Sequence, residues 1–261
     1  MDDLFTPNPT DNLLPYDGQL YNLGSYTSGL DSSELQYLDQ LGIEHVIDND
    51  DDLYQVLLTT LPWQSDVVTL FGKTHITKRQ IVWMGDAGLN YRYAGHTYLA
   101  TGWHPIVFHV KQIIEDKIQA LNLRVTADGI SNTDADFNKG ADFNKGADCT
   151  SKSERSYFNA CLLNYYPSGS EGMGYHADDE KELGAQPLIA ALSLGAARKM
   201  LFRHKSAKHK EGQDKVDLYL APGQLIVMAG VTQEYWKHSI PKTKKVHDGR
   251  ISLTFRHIFT L

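Results

Sequence analysis

The sequence predicts an α+β protein with a β-sandwich or jelly-roll core and helices packed on one side. Short apolar runs separated by turn signals are dense in the C-terminal part of the chain, which is typical of strands. Long helical patterns are few, and this favours stacked sheets over a helical bundle. No composition shift marks a domain boundary, so the 261 residues are expected to form one domain with an N-terminal extension.

The first predicted elements are an extended segment and two helices. Residues 1–30 are rich in Asn, Gly, Pro, Tyr and Ser, which is typical of extended chain. A short helix is predicted over residues 32–42, because a serine can cap it, leucines share one face and a glycine can end it. A second helix is predicted in DNDDDLYQVLLTTLP, where carboxylates complement the positive N-terminus and Pro62 ends the pattern.

Strands, one amphipathic helix and a polar insertion follow. Residues 70–99 are β-like, with aromatic residues and short polar breaks. A helix is predicted over residues 105–121, because Pro105 suits a first turn and the apolar residues form one stripe. Residues 125–155 are polar and contain ADFNKG twice in tandem, which predicts an exposed loop expanded by duplication. The later strands are predicted in FNACLLNYY, PLIAALSLG, KMLFRH, KVDLYLAPG, QLIVMAG and RISLTFRHI.

Cysteine content and hydropathy exclude several classes of protein. Cys149 and Cys161 are too few for a disulfide scaffold or a four-thiolate zinc site. The acidic start lacks the apolar stretch of a signal peptide, and no run approaches the roughly 18 apolar residues of a membrane helix. We therefore expect a cytoplasmic protein that has no membrane partner.

The net charge of −7 argues at first against a nucleic-acid partner, because phosphate binding needs positive charge. The charge is unevenly divided, however. Residues 1–150 carry 9 basic and 21 acidic side chains, whereas residues 151–261 carry 16 basic and 11 acidic ones. Much of the positive charge lies in residues 203–210 and 237–245, which predicts a basic rim suited to phosphate contacts. Two solvated loops are the alternative interpretation.

A metal-ligand pattern stands out in GYHADDE. His176 and Asp178 are two residues apart, so on a strand their side chains would project to one side and reach the same metal. His238, just ahead of another predicted strand, is the candidate third ligand. Two histidines and one carboxylate leave three coordination positions open, as in non-haem Fe(II) sites. A chain with 11 histidines also produces such a triplet by chance on a polar surface.

A polar face on the last predicted strand indicates anion binding. Arg250 and Arg256 share one face of RISLTFR with a serine and a threonine, and two arginines on an inner strand are costly unless anions pair with them. Asn164 and Tyr166 share a face of LLNYY, and an amide, a phenol and a guanidinium make a good carboxylate clamp. An iron site beside such a clamp is what a 2-oxoglutarate-dependent oxygenase requires. A solvated edge strand is one alternative, and a cupin-like metal protein is another, although it leaves the arginines unexplained.

Five segments carry a resemblance to a known family, and they are LFGKTH, MGDAGLNYRY, FNACLLNYYPSGSEGMGYHADDEKEL, IAALSLGAARKMLFRHK and EYWKHSIPKTKKVHDGRISLTFRHI. In order, spacing and chemistry they resemble the AlkB family of Fe(II)/2-oxoglutarate-dependent dioxygenases, and among these the members that act on duplex DNA. The similarity covers about residues 70–110 and 156–259. It implies a double-stranded β-helix (jelly-roll) core and the cofactors Fe(II), 2-oxoglutarate and O2.

The resemblance implies a role for each matching position. The catalytic iron ligands would be His176, Asp178 and His238. The contacts to 2-oxoglutarate would be Asn164, Tyr166, Arg250, Ser252, Thr254 and Arg256. The substrate contacts would be Phe71, Gly72, Lys73, Tyr91, Tyr93, Asp179 and Glu180. Among these, Phe71 would fill the gap left by a flipped base. Ser252 stands where the family often has Asn, which puts one cosubstrate hydrogen bond in doubt.

The resemblance also implies an activity and a layout. The expected reaction is oxidative demethylation of 1-methyladenine and 3-methylcytosine in DNA, a repair reaction that releases formaldehyde, succinate and CO2. Demethylation of RNA or protein is an alternative, as is a non-catalytic nucleic-acid-binding relative. The expected layout is an N-terminal extension with helices (1–64), nucleotide-recognition strands and loops (65–104) and the jelly-roll core (105–261), in a monomer whose partner is alkylated DNA.

Overall fold

The structure is a computed structural model that describes residues 9–26, 50–70, 73–93, 96–120, 124–126, 129–131, 156–206 and 214–259. Its strands are β1 (Gln19–Ser25), β2 (Gln64–Leu70), β3 (Lys73–Gly85), β4 (Asn90–Tyr93), β5 (His96–Leu99), β6 (Arg124–Thr126), β7 (Gly129–Ser131), β8 (Ala160–Tyr166), β9 (Met173–His176), β10 (Ile189–Gly195), β11 (Arg198–His204), β12 (Lys215–Leu220), β13 (Gln224–Ala229), β14 (Trp236–Ile240) and β15 (Arg250–Arg256). Its helical elements are α1 (Asp50–Thr60), α2 (Pro105–Ala120), the single turn α3 (Thr232–Tyr235) and a 3-10 turn (Lys181–Leu183).

Two antiparallel sheets form the core. The larger has seven strands in the order β1-β13-β10-β15-β8-β3-β2, and the smaller has four in the order β12-β11-β14-β9. Every pairing within these sheets is antiparallel. Ile189 and Met228 from the larger sheet share a buried apolar cluster with Phe202 and Trp236 from the smaller one. These stacked antiparallel sheets confirm the predicted jelly-roll core.

The helices pack on the other face of the larger sheet. Leu57 of α1 and Val110 and Ile114 of α2 are fully buried in one cluster with Leu253 and Phe255 of β15. Helix α2 begins at the predicted proline and buries the predicted stripe, because its apolar residues recur every three to four positions. The prediction of helices on one side of the core is therefore confirmed.

Strand β15 directs different side chains to the two faces of the larger sheet. Every one of its side chains is buried. Its apolar residues join the helix-side cluster, whereas Arg250 and Arg256 line a cavity between the two sheets. The predicted alternation of polar and apolar positions thus places a polar strand face inside the molecule, where it needs partners.

Three strands and one boundary differ from the sequence-based expectations. The extended segment near the N-terminus contains β1, which pairs with β13 at one edge of the larger sheet. The β-like region begins at Gln64 rather than at residue 70. His238 lies inside β14 rather than ahead of a strand, and β9 was not predicted. The short strands β9 and β14 show no clear apolar alternation in the sequence. They are defined by their pairing with neighbouring strands.

Some predicted features lie outside the described residues, namely the helix over 32–42, the ADFNKG repeat, Phe71 and Gly72. The beginning of the polar insertion departs from the predicted loop, since β6 and β7 pair as a short hairpin. None of the described helices combines the length and apolarity that crossing a membrane requires.

Candidate metal centre and polar wall

The three predicted metal ligands lie together. One possible ligand atom from each of His176, Asp178 and His238 falls within 4.8 Å of the other two, and these three are the only such group among the described residues. The two imidazole rings are 4.2 Å apart between centroids. His238 is 6% exposed and Asp178 is 3% exposed, while the side chain of His176 is 31% exposed. The cluster is therefore a buried site with one open side.

Pairing of two strands brings the histidines together, whereas a side-chain hydrogen bond to the backbone holds the segment of the carboxylate. His176 ends β9 and lies directly opposite His238 of β14. Asp178 lies two residues beyond the end of β9, so the predicted same-side spacing within one strand does not by itself place it. Its backbone N–H instead donates a hydrogen bond of 2.9 Å to Gln233 Oε1, which neither motif nor spacing had singled out.

Hydrogen bonding and burial prepare both imidazoles to act as ligands. His176 Nδ1 is 2.9 Å from the carbonyl oxygen of Gly174. A carbonyl only accepts, so Nδ1 carries the proton and Nε2 keeps its lone pair for a metal. Burial lowers the pKa of His238 to about 3, although Asp178 opposes the change and His176 and Arg256 add to it. His238 is therefore neutral at pH 7, as a metal ligand must be.

Asp178 is held in its charged form. Burial alone would raise the pKa of its carboxyl, but the positive charge of Arg256 and the hydrogen bond from its guanidinium hold that pKa well below its ordinary value. Arg256 Nη2 donates to Asp178 Oδ2 at 3.0 Å, with both side chains almost fully buried. Asp178 Oδ1 lies 3.7 Å from His176 Nε2. One carboxylate oxygen is thus bound by arginine and the other faces the histidines.

The predicted cosubstrate contacts line the same cavity as the three ligands. We call them the polar wall, and they are Asn164, Tyr166, Arg250, Ser252, Thr254 and Arg256. They share one face of two paired strands, since Arg250 lies opposite Tyr166 and Ser252 lies opposite Asn164. The sequence-predicted site is therefore assembled in one place, with the ligand cluster at the Arg256 end.

Two buried groups of the polar wall have spare hydrogen-bonding capacity. Arg250 is 3% exposed, and its Nε donates to Ser193 Oγ at 2.8 Å. Arg250 Nη1 and Asn164 Oδ1 have no hydrogen-bond partner among the described residues. Burial lowers the pKa of Arg250 to about 10, so the guanidinium stays charged at neutral pH. A buried donor with positive charge facing a cavity fits an anionic group such as a carboxylate.

Two further arginines surround the ring of Tyr166, and the sequence reasoning missed both. The Arg79, Arg198 and Arg250 guanidinium carbons lie 5.9, 6.0 and 5.4 Å from its centroid. Arg198 Nη2 donates to the carbonyl oxygens of Glu171 and Pro241, both at 2.8 Å. A signal for Arg198 existed, since it shares the inward face of RKMLFRH with buried apolar residues.

The predicted substrate contacts are described less completely. Lys73 begins β3, and Tyr91 and Tyr93 lie on β4, which pairs with β5, but their side chains are not described. Asp179 is exposed, and its carboxylate lies 3.6 Å from Lys205 Nζ. Glu180 immediately precedes the 3-10 turn. Neither acidic residue lines the cavity itself, and both follow directly after Asp178.

The basic rim is exposed where the structure describes it. Lys237 lies on β14 next to His238, and Lys242, Lys244 and Lys245 lie in the segment between β14 and β15. All four are exposed. Lys208 and Lys210 lie outside the described residues.

A pair of antiparallel sheets encloses a His-Asp-His cluster that can hold one metal ion, beside buried arginines that suit an anionic group. A comparison with protein families matches residues 47–256 to the 2OG-Fe(II) oxygenase superfamily. The chain belongs to this superfamily. The match confirms the predicted cofactor class, namely Fe(II), 2-oxoglutarate and O2.

Curated relatives confirm the resemblance to the AlkB family. DNA oxidative demethylase ALKBH2 of Homo sapiens is 32% identical over 194 residues, which is 73% of this chain and 60% of the relative. The Mus musculus protein of the same name is also 32% identical and is covered to 66%. Alpha-ketoglutarate-dependent dioxygenase alkB homolog 3 of Bos taurus is 28% identical over 214 residues, or 80% of this chain and 62% of the relative. The chain thus spans about three fifths of the length of these relatives.

Proposed function

We propose that this chain is a DNA oxidative demethylase that removes methyl groups from damaged bases with Fe(II), O2 and 2-oxoglutarate. The observation that carries the proposal is the single cavity shared by the three candidate ligands and the polar wall. Membership of the superfamily supports the chemistry, and relatives named DNA oxidative demethylase support the substrate.

The iron would be held by His176, Asp178 and His238. This donor set fits the metal, because it offers imidazole nitrogens and one charged carboxylate and leaves positions for a cosubstrate and oxygen. Bound iron with 2-oxoglutarate supplies the oxidation of an N-methyl group, which leaves as formaldehyde while the cosubstrate becomes succinate and CO2. Arg256 keeps the carboxylate charged, and the Gly174 carbonyl holds His176 in the tautomer that a metal needs.

The polar wall would bind 2-oxoglutarate. Arg250, the buried guanidinium with an unused donor, would hold the distal carboxylate together with Asn164 and Tyr166. The remaining contacts along β15 would come from Ser252, Thr254 and Arg256. Arg256 is bound to Asp178, so it would lie at the metal end of the cosubstrate. A hydroxyl at position 252 offers one hydrogen bond in place of the family's amide.

The substrate would be a base turned out of the helix. 1-Methyladenine and 3-methylcytosine carry their lesions on the pairing edge, so extruding them costs less than the few kcal/mol of a normal base. Tyr91 and Tyr93 would line the base pocket, and stacking contributes about 1–3 kcal/mol per base. Asp179 and Glu180 would favour these cationic lesions by charge. Phe71, flanked by Leu70 and Gly72, would fill the gap left in the duplex, and Lys73 would lie near the backbone.

The basic rim would contact the phosphate backbone. Its exposed lysines flank the candidate iron ligand His238 in the sequence, which would put positive charge at the edge of the site. The monomeric state, the cytoplasmic location (nucleoid-associated if bacterial) and the three-part layout stay predictions. RNA is the second candidate substrate, because discrimination depends on 2′-hydroxyl contacts that no described residue identifies.

One experiment tests the proposed function. The purified chain is incubated with Fe(II), 2-oxoglutarate and ascorbate and with oligonucleotides that carry 1-methyladenine or 3-methylcytosine, as single-stranded DNA, duplex DNA and RNA. Formaldehyde release and base restoration are measured, with an Asp178→Ala variant as the control. We expect turnover on DNA that needs 2-oxoglutarate and is lost in the variant. Turnover on RNA alone would reassign the substrate, and turnover on none of the three would contradict the proposal.

A further inference from the structure

A buried amide joins the Asp178 segment to the turn that precedes the second histidine. The N–H of Asp178 donates to Gln233 Oε1 at 2.9 Å, across 55 positions of sequence, and both groups are buried. Gln233 is 2% exposed. It belongs to α3, which runs directly into β14, the strand of His238. Gln233 therefore connects the two chain segments that supply the carboxylate and one of the histidines.

The Asp178 backbone depends on this contact because strand pairing no longer reaches it. β9 ends at His176, and the residues from 177 to 180 belong to no strand or helix. A buried backbone N–H needs an acceptor, and here the acceptor is a side chain rather than a neighbouring strand. The length of the Gln233 side chain therefore helps to set the position of the Asp178 backbone.

Gln233 is itself held at both ends. Its Nε2 lies 3.4 Å from Met228 Sδ, which directs the amide oxygen toward Asp178. Its main-chain carbonyl accepts a hydrogen bond of 2.9 Å from Lys205 Nζ, and that ammonium also lies 3.6 Å from the Asp179 carboxylate. Lys205 therefore forms a second, more exposed link between the same two segments.

We propose that Gln233 is a positioning residue of the metal centre, which fixes the Asp178 backbone and so the distance of its carboxylate from the two histidines. The proposal rests on the proposed function, because it takes Asp178 as a metal ligand. Two contacts restrain this residue: Gln233 holds the main chain, and Arg256 holds Oδ2. The remaining oxygen, Oδ1, then faces His176 without any need for the side chain to reorganise.

Two substitutions at position 233 separate positioning from packing. Gln233→Met keeps the length of the side chain but removes the acceptor, and Gln233→Asn keeps the amide but shortens its reach by one methylene. Gln224→Met is the matched control. Gln224 begins β13 outside the site, and its Oε1 also accepts a 2.9 Å hydrogen bond from a backbone N–H, that of Ala221.

The test measures Co(II) binding by the metal-free full chain, by calorimetry and by visible absorption, with thermal melting to verify folding. Losing a residue that orients a metal ligand lowers metal affinity by about 10–100-fold. We expect a loss in that range and an altered Co(II) spectrum for the Met variant, with the Asn variant changed in the same direction. The Gln224→Met control should stay near wild type. If the Met variant does not fold, the Asn variant decides.

Two outcomes overturn the proposal and differ in what else they overturn. Wild-type affinity in both the Met and Asn variants would show that Gln233 does not position the carboxylate, and would leave the metal site intact. A wild-type chain that binds no Co(II) would overturn the metal site together with the role of Gln233.

Discussion

Replacing Arg256 by methionine should destabilise the metal-free protein far more than losing a surface ion pair. The Arg256–Asp178 pair is 3.0 Å long, and its side chains are 5% and 4% exposed. Methionine retains an apolar stem but leaves Asp178 as a buried carboxylate without its guanidinium. Breaking a buried pair from one side costs about 3–5 kcal/mol. At about 2–4 °C per kcal/mol for a chain of this size, Tm should fall by about 6–20 °C.

The loss should also depend on pH, with a definite sign. The guanidinium of Arg256 outweighs burial and holds the pKa of Asp178 in the folded state below the unfolded value. Such a group stabilises the fold at pH above its unfolded pKa of about 3.9, and this stabilisation is lost as the pH falls through the folded value. In Arg256→Met the carboxyl protonates more readily. The difference in stability between variant and wild type should therefore shrink as the pH is lowered from 7 toward 4.

Urea denaturation of the metal-free protein, followed by tryptophan fluorescence at pH 7 and pH 4, measures both effects. Arg79→Met is the matched control, because it breaks a second buried pair, 2.6 Å long, between Arg79 and Asp66. Added Mn(II) should stabilise every form that keeps the three candidate ligands, but it should narrow the gap to wild type only for the Arg256 variant, since a cation then stands beside Asp178. A loss below about 1 kcal/mol at pH 7, as for exposed pairs, would refute the reasoning.

Three further predictions concern binding. Arg250→Met should weaken 2-oxoglutarate binding by at least tenfold, measured by calorimetry, because a charge-assisted hydrogen bond contributes about 1.5–3 kcal/mol. Changing Lys242, Lys244 and Lys245 to Glu should weaken duplex binding and flatten its salt dependence in fluorescence titrations, with 2-oxoglutarate affinity unchanged. Glu180→Gln should lower the preference for cationic methylated bases over neutral ethenoadenine in competition assays; an unchanged ratio would exclude a charge role.

The polar wall was predictable because a strand imposes a two-residue period. Arg250 and Arg256 fall on one face of RISLTFR with two hydroxyl residues, and their burial on an inner strand follows from the apolar residues between them. Asn164 and Tyr166 follow by the same reasoning, and the register of β8 against β15 brings the two faces together. A period in the sequence is local, so this part of the site needed no knowledge of the fold.

The sequence predicts which three residues form the ligand cluster, but not the contacts that bring them together. His176 and His238 meet because β9 and β14 pair, and these short strands have no apolar alternation that a sequence would reveal. Asp178 depends on Gln233, a contact between residues distant in sequence and with no motif. Arg198 donates to backbone carbonyls and lies over an aromatic ring, and such partners carry no sequence signal.

The charges of the buried arginines explain how an acidic chain can present positive charge in a cavity. Arg79 and Arg256 are neutralised by Asp66 and Asp178. Arg250 and Arg198, in contrast, are held by a hydroxyl and by carbonyl oxygens, and within the described parts of the chain neither forms an ion pair with a carboxylate. The Glu171 carboxylate still acts on Arg198 at longer range. Arg250 therefore supplies positive charge to its end of the cavity despite the negative net charge of the protein, because a buried charge is screened less than an exposed one.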